Sequence, residues 1–401
     1  MVTGLGVVSA IGSGVAEFTD AVRSGRSGAR PITLFDTTGF DHAHGCEVVG
    51  FDAARWLRRL SPPELGRAAQ FSAAASRMAV RDAELDPAVL SGSRVLVSVG
   101  TTDGGSHELD QLVAEEIDAG PEGMSHTLVR KVPAIALSVA VARELDLRRA
   151  QATTLGTACS AGNYAIGEGL DALRSGEIDL ALCGGADAMC RRNFTGFYRL
   201  GLIAPSRCQP FDANRQGILT GEGAGVLVLE REESAVRRGA RVYAEVLGLG
   251  ITCDAYHQIA PEREGIARCM RLALDDAGVE PGGIDFISAH ATGTRLNDVT
   301  ESRAIHDVFG PCPPPTVGLK SMLGHTMGAA SALSGAACAL AIAHGFIPPT
   351  INHVESDPEC AVDCVPNHAV STTVRTAQSN GLAFGGNNAV VIFGAYESGG
   401  E

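Results

Sequence analysis

The chain has 401 residues and a formal net charge of −14, with 45% hydrophobic and 19% charged residues. This negative charge argues against nonspecific nucleic-acid binding, and no run of 18 residues is apolar enough to span a bilayer. Its eleven cysteines have no regular spacing, which is typical of reduced thiols rather than a disulfide framework. With no signal-peptide pattern either, the chain is predicted to be a cytoplasmic α/β protein.

Apolar runs that indicate buried strands alternate with alanine-rich stretches that indicate helices. In chain order, the pattern predicts a helix over 70–85, a strand over 94–101, a helix over 165–174, strands over 178–186 and 226–231, a helix over 265–277, a strand over 284–290, a helix over 328–344 and a glycine-rich turn followed by a strand over 381–394. Continuous apolar strands separated by helices predict sheets covered on both faces. The two halves also share a layout, which is consistent with duplication.

Cys159 lies in the segment TACSAG, between the end of a predicted strand and an alanine-rich helix. A helix N-terminus favours a thiolate over a thiol, so Cys159 is predicted to be the most thiolate-rich of the eleven cysteines. A buried core cysteine is the competing interpretation.

Two histidines and a lysine lie on later turns. His290 follows a predicted strand at the start of HATGT, and Lys320 and His325 lie in KSMLGH, just before a helix of small residues. Each alone is more often a structural or solvated residue. Together with Cys159 they suggest a thiol nucleophile with histidine partners.

Metal and nucleotide sites are not predicted. The cysteines and histidines do not form the paired short spacings of a zinc site. The glycine-rich stretches at 221–225 and 381–386 complete neither a Walker nor a dinucleotide pattern.

Nearly the whole chain resembles the β-ketoacyl synthases of the thiolase superfamily, the condensing enzymes with a Cys-His-His triad. The segments that carry the resemblance are, in order, VTGLGVVSAIG (2–12), TACSAG (157–162), CGGADAM (183–189), QPFDANRQGILTGEGAGVLVLE (209–230), DAYHQIAP (254–261), HATGTRLND (290–298), KSMLGHTMGAA (320–330) and SNGLAFGGNNA (379–389). The resemblance implies the thiolase fold, in which two duplicated βαβαβαββ-like halves form a five-layer α-β-α-β-α sandwich. Residues 1–235 would carry Cys159, and residues 236–401 would carry His290, Lys320, His325 and the Phe384 gating loop.

The same resemblance assigns roles to individual residues. Cys159 would accept the acyl chain, and His290 and His325 would complete the triad. Lys320 would be paired with Glu301, and the main-chain amides of Cys159 and Phe384 would form the oxyanion hole. The gate and substrate contacts would come from four residues, namely Phe384, Leu382, Thr292 and Thr294.

The activity implied is decarboxylative condensation of a malonyl unit with the acyl chain on Cys159, in fatty-acid or type II polyketide or polyene biosynthesis. The family uses no metal or redox cofactor, and its substrates arrive on the phosphopantetheine of an acyl carrier protein. The implied assembly is a homodimer, or a heterodimer with a paralogous chain-length-factor subunit. Four arginines in the stretch after the predicted strand over 178–186 are candidates for carrier docking, namely Arg191, Arg192, Arg199 and Arg207.

Four positions depart from the family pattern. Ser334 stands in place of a usual glutamate, which puts that carboxylate and any cation site near it in doubt. Ala291 and Asn387 replace a usual glycine and threonine. Leu382 replaces the phenylalanine that precedes the gating ring, so the gate is predicted to be more loosely packed and easier to open.

Three other activities compete with condensation. A noncatalytic chain-length partner would lack the nucleophile, which Cys159 argues against. An acyltransferase without decarboxylation would not need both histidines and Lys320, and a thiolase would have a second cysteine where this chain has Asn387.

Overall fold

A computed structural model describes residues 1–397. The strands are β1 Val2–Ser9, β2 Gly12–Ser13, β3 Arg30–Pro31, β4 His44–Cys46, β5 Val95–Gly100, β6 Ala150–Leu155, β7 Leu180–Asp187, β8 Thr220–Gly221, β9 Gly223–Glu230, β10 Glu245–Cys253, β11 Phe286–Ser288, β12 Thr316–Val317, β13 Phe346–Ile347, β14 Val370–Ser371, β15 Thr376–Gly381 and β16 Asn387–Gly394. The helices are α1 Val15–Ser24, α2 Arg67–Asp82, α3 Pro87–Gly92, α4 Ser106–Ala119, α5 His126–Val129, α6 Ala136–Glu144, α7 Ala161–Arg174, α8 Arg191–Arg199, α9 Glu232–Arg237, α10 Arg263–Ala277, α11 Arg295–Phe309, α12 Lys320–Leu323 and α13 Ala329–His344.

Two mixed sheets form the framework. The first has six strands in the order β2-β1-β9-β7-β5-β6, with β5 parallel to both β6 and β7 and with β9 antiparallel to its neighbours β1 and β7. The second has five strands in the order β10-β16-β15-β11-β12, with β11 parallel to β12 and β15. Each sheet therefore contains parallel strands whose carboxyl ends share one edge, where sites commonly form.

Three large hydrophobic clusters fill the space between five layers of helices and sheets. One core lies between α2, α6 and the first sheet, and another lies between the second sheet, α10 and α11. The central core holds α7 and α13 between the two sheets. Alanine, serine and glycine predominate in α13, and small side chains allow two sheets to pack closely on a single helix. This arrangement confirms the predicted thiolase fold of five layers.

The predicted elements are present, with ends that shift by a few residues. The predicted helix over 70–85, for example, spans Arg67–Asp82. The strand predicted to end before Cys159 is β6. Strand β10 was missed because it is only partly buried and glycines interrupt its apolar residues. The predicted boundary after residue 235 falls inside α9, and that division into two halves stays a prediction. The last four residues of the predicted C-terminal half, 398–401, lie outside the described residues.

Within residues 1–397, no helix is both long enough and apolar enough to cross a membrane.

Candidate active site

Cys159 lies between the end of β6 and the start of α7. A 3₁₀ turn over Ala158–Ser160 connects them, and Ala158 has a left-handed φ of 53°. The backbone is tightly packed here, since a Cβ on Gly100 would lie 2.2 Å from the carbonyl carbon of Ala161. Left-handed backbone at a non-glycine residue is strained and is held only where the surroundings fix it. The turn therefore presents Cys159, which is 6% exposed, from a rigid support.

His290 and His325 converge on this thiol. His290 follows β11, and His325 lies between α12 and α13. One donor atom from each of Cys159, His290 and His325 lies within 4.8 Å of the others. The centroids of the two imidazole rings are 5.5 Å apart, and the ring planes are nearly perpendicular, at 82°. The structure thus brings together the three residues predicted to form the triad, although their spacing would also suit a metal ion.

Hydrogen bonds define which nitrogen of each ring carries a proton. The Nδ1 of His325 accepts the main-chain N–H of Met327 at 3.1 Å, and the Nδ1 of His290 lies 3.4 Å from the Nζ of Lys320. In a neutral imidazole, an accepting Nδ1 leaves Nε2 as the donor. Each histidine therefore offers an Nε2–H as its remaining hydrogen-bond donor.

The site favours the neutral form of its two histidines. Burial lowers the pKa of His290 and of His325 well below the usual value, and the positive charge of Lys320 lowers both further. Burial also lowers the pKa of Lys320, although the charge of Glu301 acts in the opposite direction. Both histidines are therefore neutral hydrogen-bond donors at neutral pH.

Cys159 is a thiol rather than a thiolate in the free protein. Burial raises its pKa to about 12, and the nearby charge of Lys320 offsets only part of that rise. The pKa of Cys364 rises less, to about 11. The prediction that Cys159 is the most thiolate-rich cysteine is therefore wrong, because burial outweighs the helix N-terminus. Access to the cavity described below is what distinguishes Cys159.

Lys320 and Glu301 are both buried, but they do not form the expected direct pair. Among the described residues, Lys320 has no ion pair within 4.0 Å, and its Nζ donates to the carbonyl oxygen of His290. Glu301 instead accepts the main-chain N–H groups of His290 at 2.7 Å and Ala291 at 2.8 Å. The side chain of Asn380 donates to the same carboxylate at 3.1 Å. Lys320 and Glu301 therefore hold the backbone of His290 from its two polar ends.

A cavity of about 410 Å³ opens onto the triad. Its wall includes the predicted gate and substrate residues Leu382, Phe384, Thr292 and Thr294. Sequence reasoning missed much of the remaining wall, which includes Phe197, Leu202, Ile218, Ile259, Pro261, Leu296, Arg215 and Arg295. These residues lie on α8, on loops and at the start of α11, and nothing in their local pattern distinguishes them from core or surface residues.

Phe384 is 37% exposed and forms part of the cavity wall. Its ring packs against Phe197 of α8, with 5.7 Å between centroids, and Phe197 in turn lies 6.5 Å from His325. Leu382 is only 2% exposed and belongs to the core under the second sheet. Leu382 itself is therefore well packed, and the aromatic ring beside Phe384 comes from Phe197. That the gate opens more easily than in relatives with a phenylalanine at this position stays a prediction.

A neighbouring loop is bonded to the gate. The N–H of Gly385 donates to the carbonyl of Gln258 at 2.8 Å, and the N–H of Asp254 donates to the carbonyl of Gly386 at 3.0 Å. The carboxylate of Asp254 accepts the side-chain N–H of Asn388 at 2.7 Å. Since Gly385 and Gly386 have φ of 81° and 76°, this conformation depends on glycine.

The other predicted substrate contacts lie at the start of α11. The hydroxyls of Thr292 and Thr294 hydrogen-bond to each other at 2.8 Å.

The main-chain N–H of Phe384 is one of the two predicted oxyanion-hole donors. Phe384 begins a 3₁₀ turn, so this N–H has no partner within that turn.

The family departures have different structural settings. Ala291 adopts a left-handed φ of 40°, which explains why glycine is usual there. Ser334 is 5% exposed on the central helix α13, so no carboxylate enters the central layer at that position. Asn387 begins β16 and is outside the cavity wall.

The four predicted docking arginines differ in whether they bond to neighbouring residues. Arg191 bonds to the carbonyl of Asp36 at 3.3 Å, and Arg192 bonds to Asp103 at 3.2 Å. Arg199 and Arg207 are exposed and form no ion pair within 4.0 Å among the described residues.

Two family models match the chain. The N-terminal domain of β-ketoacyl synthase matches residues 1–235, and its C-terminal domain matches residues 243–354. Together these models cover most of the chain.

Curated relatives agree with these models over almost the full length. The chain is 36% identical to a 3-oxoacyl-[acyl-carrier-protein] synthase 2 of Synechocystis sp., over 99% of this chain and 98% of that protein. It is 34% identical to the enzyme of the same name from Staphylococcus aureus, over the same shares.

Solved structures extend the likeness. A structure described as the ishigamide ketosynthase/chain length factor is 58% identical with a TM-score of 0.98, covering 99% of this chain and 98% of that chain. A type II polyketide ketosynthase in complex with its acyl-carrier protein is 30% identical with a TM-score of 0.90, over the same shares. With the site geometry above, these findings place the chain in the β-ketoacyl synthase family.

Proposed function

We propose that the chain condenses a malonyl unit with an acyl chain held on Cys159, with loss of carbon dioxide, and that both substrates arrive on an acyl carrier protein. The observation that carries this proposal is the convergence of one thiol and two neutral imidazole donors at a largely apolar cavity. The names of the relatives, which are 3-oxoacyl-[acyl-carrier-protein] synthases and a ketosynthase bound to its carrier, support the same substrate class.

The first half-reaction transfers the acyl group. The sulfur of Cys159 attacks the acyl thioester, and the bond to the phosphopantetheine sulfur breaks. Because the free thiol has a pKa of about 12, its proton leaves as the carbon–sulfur bond forms and ends on the departing thiol. The N–H groups of Cys159 and Phe384 stabilise the tetrahedral oxyanion, and one such donor typically contributes about 3–4 kcal/mol.

The second half-reaction forms the carbon–carbon bond. The Nε2–H groups of His290 and His325 bond the malonyl thioester carbonyl. Loss of carbon dioxide then leaves an enolate whose charge these donors stabilise. The enolate carbon attacks the acyl group, and the thiolate of Cys159 leaves and takes up one proton. The balance of atoms requires no oxidant or reductant, so we propose no redox cofactor.

Lys320 and Glu301 are positioning residues in this scheme. Lys320 donates to the Nδ1 and carbonyl of His290, while Glu301 accepts its main-chain N–H. The charge of Lys320 also keeps both imidazoles neutral, because it lowers their pKa. Neutral rings suit hydrogen-bond donation to an enolate without protonating it.

We further propose that the chain works as a dimer, either with a second copy or with a chain-length-factor subunit. One similar structure is described as a ketosynthase/chain length factor, and another as a ketosynthase in complex with its chain length factor. Cys159 argues against the noncatalytic role for this chain itself, since such a partner needs no nucleophile in its cavity.

The test uses the intact mass of the full chain after incubation with acyl and malonyl carrier proteins. We expect an acyl adduct on the wild type and none on Cys159→Ala, with condensation lowered by a factor on the order of 10⁴ or more. Cys208→Ala is the matched control, because Cys208 is also buried near Lys320 but does not line the cavity. A full-stoichiometry adduct on Cys159→Ala would overturn the proposal.

A further inference from the structure

A buried carboxylate lies behind the Cys159 turn, where β5 and β7 end beside α13. It belongs to Asp187, the last residue of β7, which has no exposed surface. One carboxylate oxygen accepts the N–H groups of Gly328 at 2.6 Å and Thr102 at 2.8 Å. The other accepts the hydroxyl of Thr101 at 2.5 Å and the N–H of Asp103 at 3.0 Å. This single side chain therefore joins β7, the turn after β5 and the start of α13.

These bonds bear directly on the spacing of the catalytic groups. Gly328 is three residues after His325, and its carbonyl accepts the N–H of Gly162 at 3.1 Å. Gly162 is three residues after Cys159, within the first turn of α7. The carboxylate of Asp187 is thus connected to both segments through the main chain of one residue, Gly328.

Backbone packing leaves little freedom at this junction. A Cβ on Gly328 would lie 2.5 Å from the Cα of Thr101, and a Cβ on Gly185 would lie 2.4 Å from the carbonyl oxygen of Gly328. Segments this close transmit small displacements to their neighbours. A change in the bonding of Asp187 should therefore move His325 relative to Cys159.

We propose that Asp187 is a positioning residue for the condensation, and that its carboxylate sets the distance between His325 and Cys159 without contacting substrate. Asp187 is not part of the cavity wall. This inference rests on the function proposed above and extends it to a residue outside the Cys-His-His set.

The charge of Asp187 also acts on the Cys159 thiol, together with the charge of a second carboxylate, that of Asp103. Asp103 accepts hydrogen bonds from the side chains of Asn193 and Arg192. Burial, followed by the charge of Asp103, raises the pKa of Asp187 to about 7. The charges of Asp187 and Asp103 both raise the pKa of Cys159. Removing the charge of Asp187 should therefore make the Cys159 thiol more acidic, even as it loosens the His325 segment.

The decisive variant is Asp187→Asn, which keeps the shape but removes the charge and leaves at least one donor without an acceptor. We expect malonyl decarboxylation to fall roughly ten- to a hundredfold, as for a small misplacement of catalytic groups. We expect alkylation of Cys159 by iodoacetamide to become faster at about pH 8.5, where Asp187 of the wild type is ionised, because more thiolate is present in the variant. A purely structural role would not move the two rates in opposite directions.

Glu144→Gln is the matched control. Glu144 is also fully buried and accepts three main-chain N–H groups, but at the end of α6 and away from the cavity. We expect this variant to lower the Tm without changing the ratio of alkylation to decarboxylation. If Asp187→Asn behaves like Glu144→Gln, the proposal is overturned.

A milder variant serves if Asp187→Asn does not fold. Thr101→Val removes one donor to the carboxylate and keeps the charge, so decarboxylation should fall a few-fold while alkylation is not accelerated. Unchanged decarboxylation in Thr101→Val would contradict the positioning role. A wild type that neither accepts acyl groups nor decarboxylates malonyl carrier protein would instead overturn the proposed function, and the alkylation rates would still test the charge of Asp187.

Discussion

The segments that carry Cys159 and Phe384 meet in the same cavity, but they are built in different ways. Cys159 is 6% exposed, on a turn whose neighbouring backbones nearly touch. Phe384 is 37% exposed and is followed by two glycines with positive φ. A nucleophile has to be held in one place, whereas a ring that admits substrate cannot be fully packed in every state. Substitutions in the first segment should therefore change chemistry, and substitutions in the second should change which substrates enter.

The largest effects should come from the two histidines beside Cys159. Loss of a preorganised donor at developing charge typically costs ~10²–10³ in rate. His290→Ala and His325→Ala should therefore lower malonyl decarboxylation by that factor and lower acyl transfer to Cys159 by less, when the two half-reactions are assayed separately. His306→Ala is the control, because His306 bonds only to carbonyls at the end of α11 and near residue 361. Equal loss of both half-reactions would show that the roles are divided wrongly.

The rigidity of the triad segment can be tested at Ala291, which has φ of 40° and no exposed surface. Ala291→Gly should change the free energy of unfolding by less than about 1 kcal/mol, since relief of a left-handed alanine, ~1 kcal/mol, offsets the lost methyl burial, ~0.8 kcal/mol. Ala291→Val should cost about 3 kcal/mol through strain and overpacking. Urea unfolding measures both, and a Val variant as stable as wild type would contradict the strained geometry.

Substitution of the gating residue Phe384 should change the range of substrates more than the stability of the protein. Phe384→Ala should lower the free energy of unfolding by less than about 2 kcal/mol, because its ring is partly exposed, whereas Phe393→Ala in the central core should cost about 3–5 kcal/mol. The same Phe384 variant should slow condensation roughly tenfold and broaden the range of acyl chains accepted. Product profiles from mixed acyl carrier proteins check this. An unchanged profile would assign chain selection to the rest of the cavity wall.

Leu382 lies beside the gate but is buried, as Cys159 is. Leu382→Phe should destabilise the protein by about 1–3 kcal/mol, because extra atoms enter a packed core. Thermal unfolding of Leu382→Phe alongside Leu382→Met, which nearly conserves volume, measures the effect. Wild-type stability of Leu382→Phe would show that space exists beside the gate.

The smallest effect should arise outside the cavity, at the docking surface. Arg199→Glu combined with Arg207→Glu should raise the KM for carrier-bound substrate several-fold, since exposed charges contribute up to about 1 kcal/mol each. A small N-acetylcysteamine thioester should keep its KM. Arg148→Glu is the control, because it reverses the charge of another exposed arginine elsewhere on the surface. If both substrates respond alike, the carrier docks at another surface.

The fold class and the triad residues could be predicted from the sequence. Continuous apolar strands and small-residue helices predict covered sheets, because side-chain periodicity follows directly from backbone geometry. The position of Cys159 before a helix, and of His290 and His325 on turns, could be predicted because each depends on its immediate neighbours and on motifs that resemble a known family.

The electrostatics and the packing around that triad depend on the tertiary structure. The pKa of Cys159, the contacts of Lys320 and Glu301, and the place of Phe197 beside the gate depend on segments far apart in the chain. Burial depends on what surrounds a group in three dimensions, and desolvation here outweighs the local helix terminus that the sequence displays. Asp187 shows the same limit, because its four hydrogen-bond donors become neighbours only when β5, β7 and α13 meet.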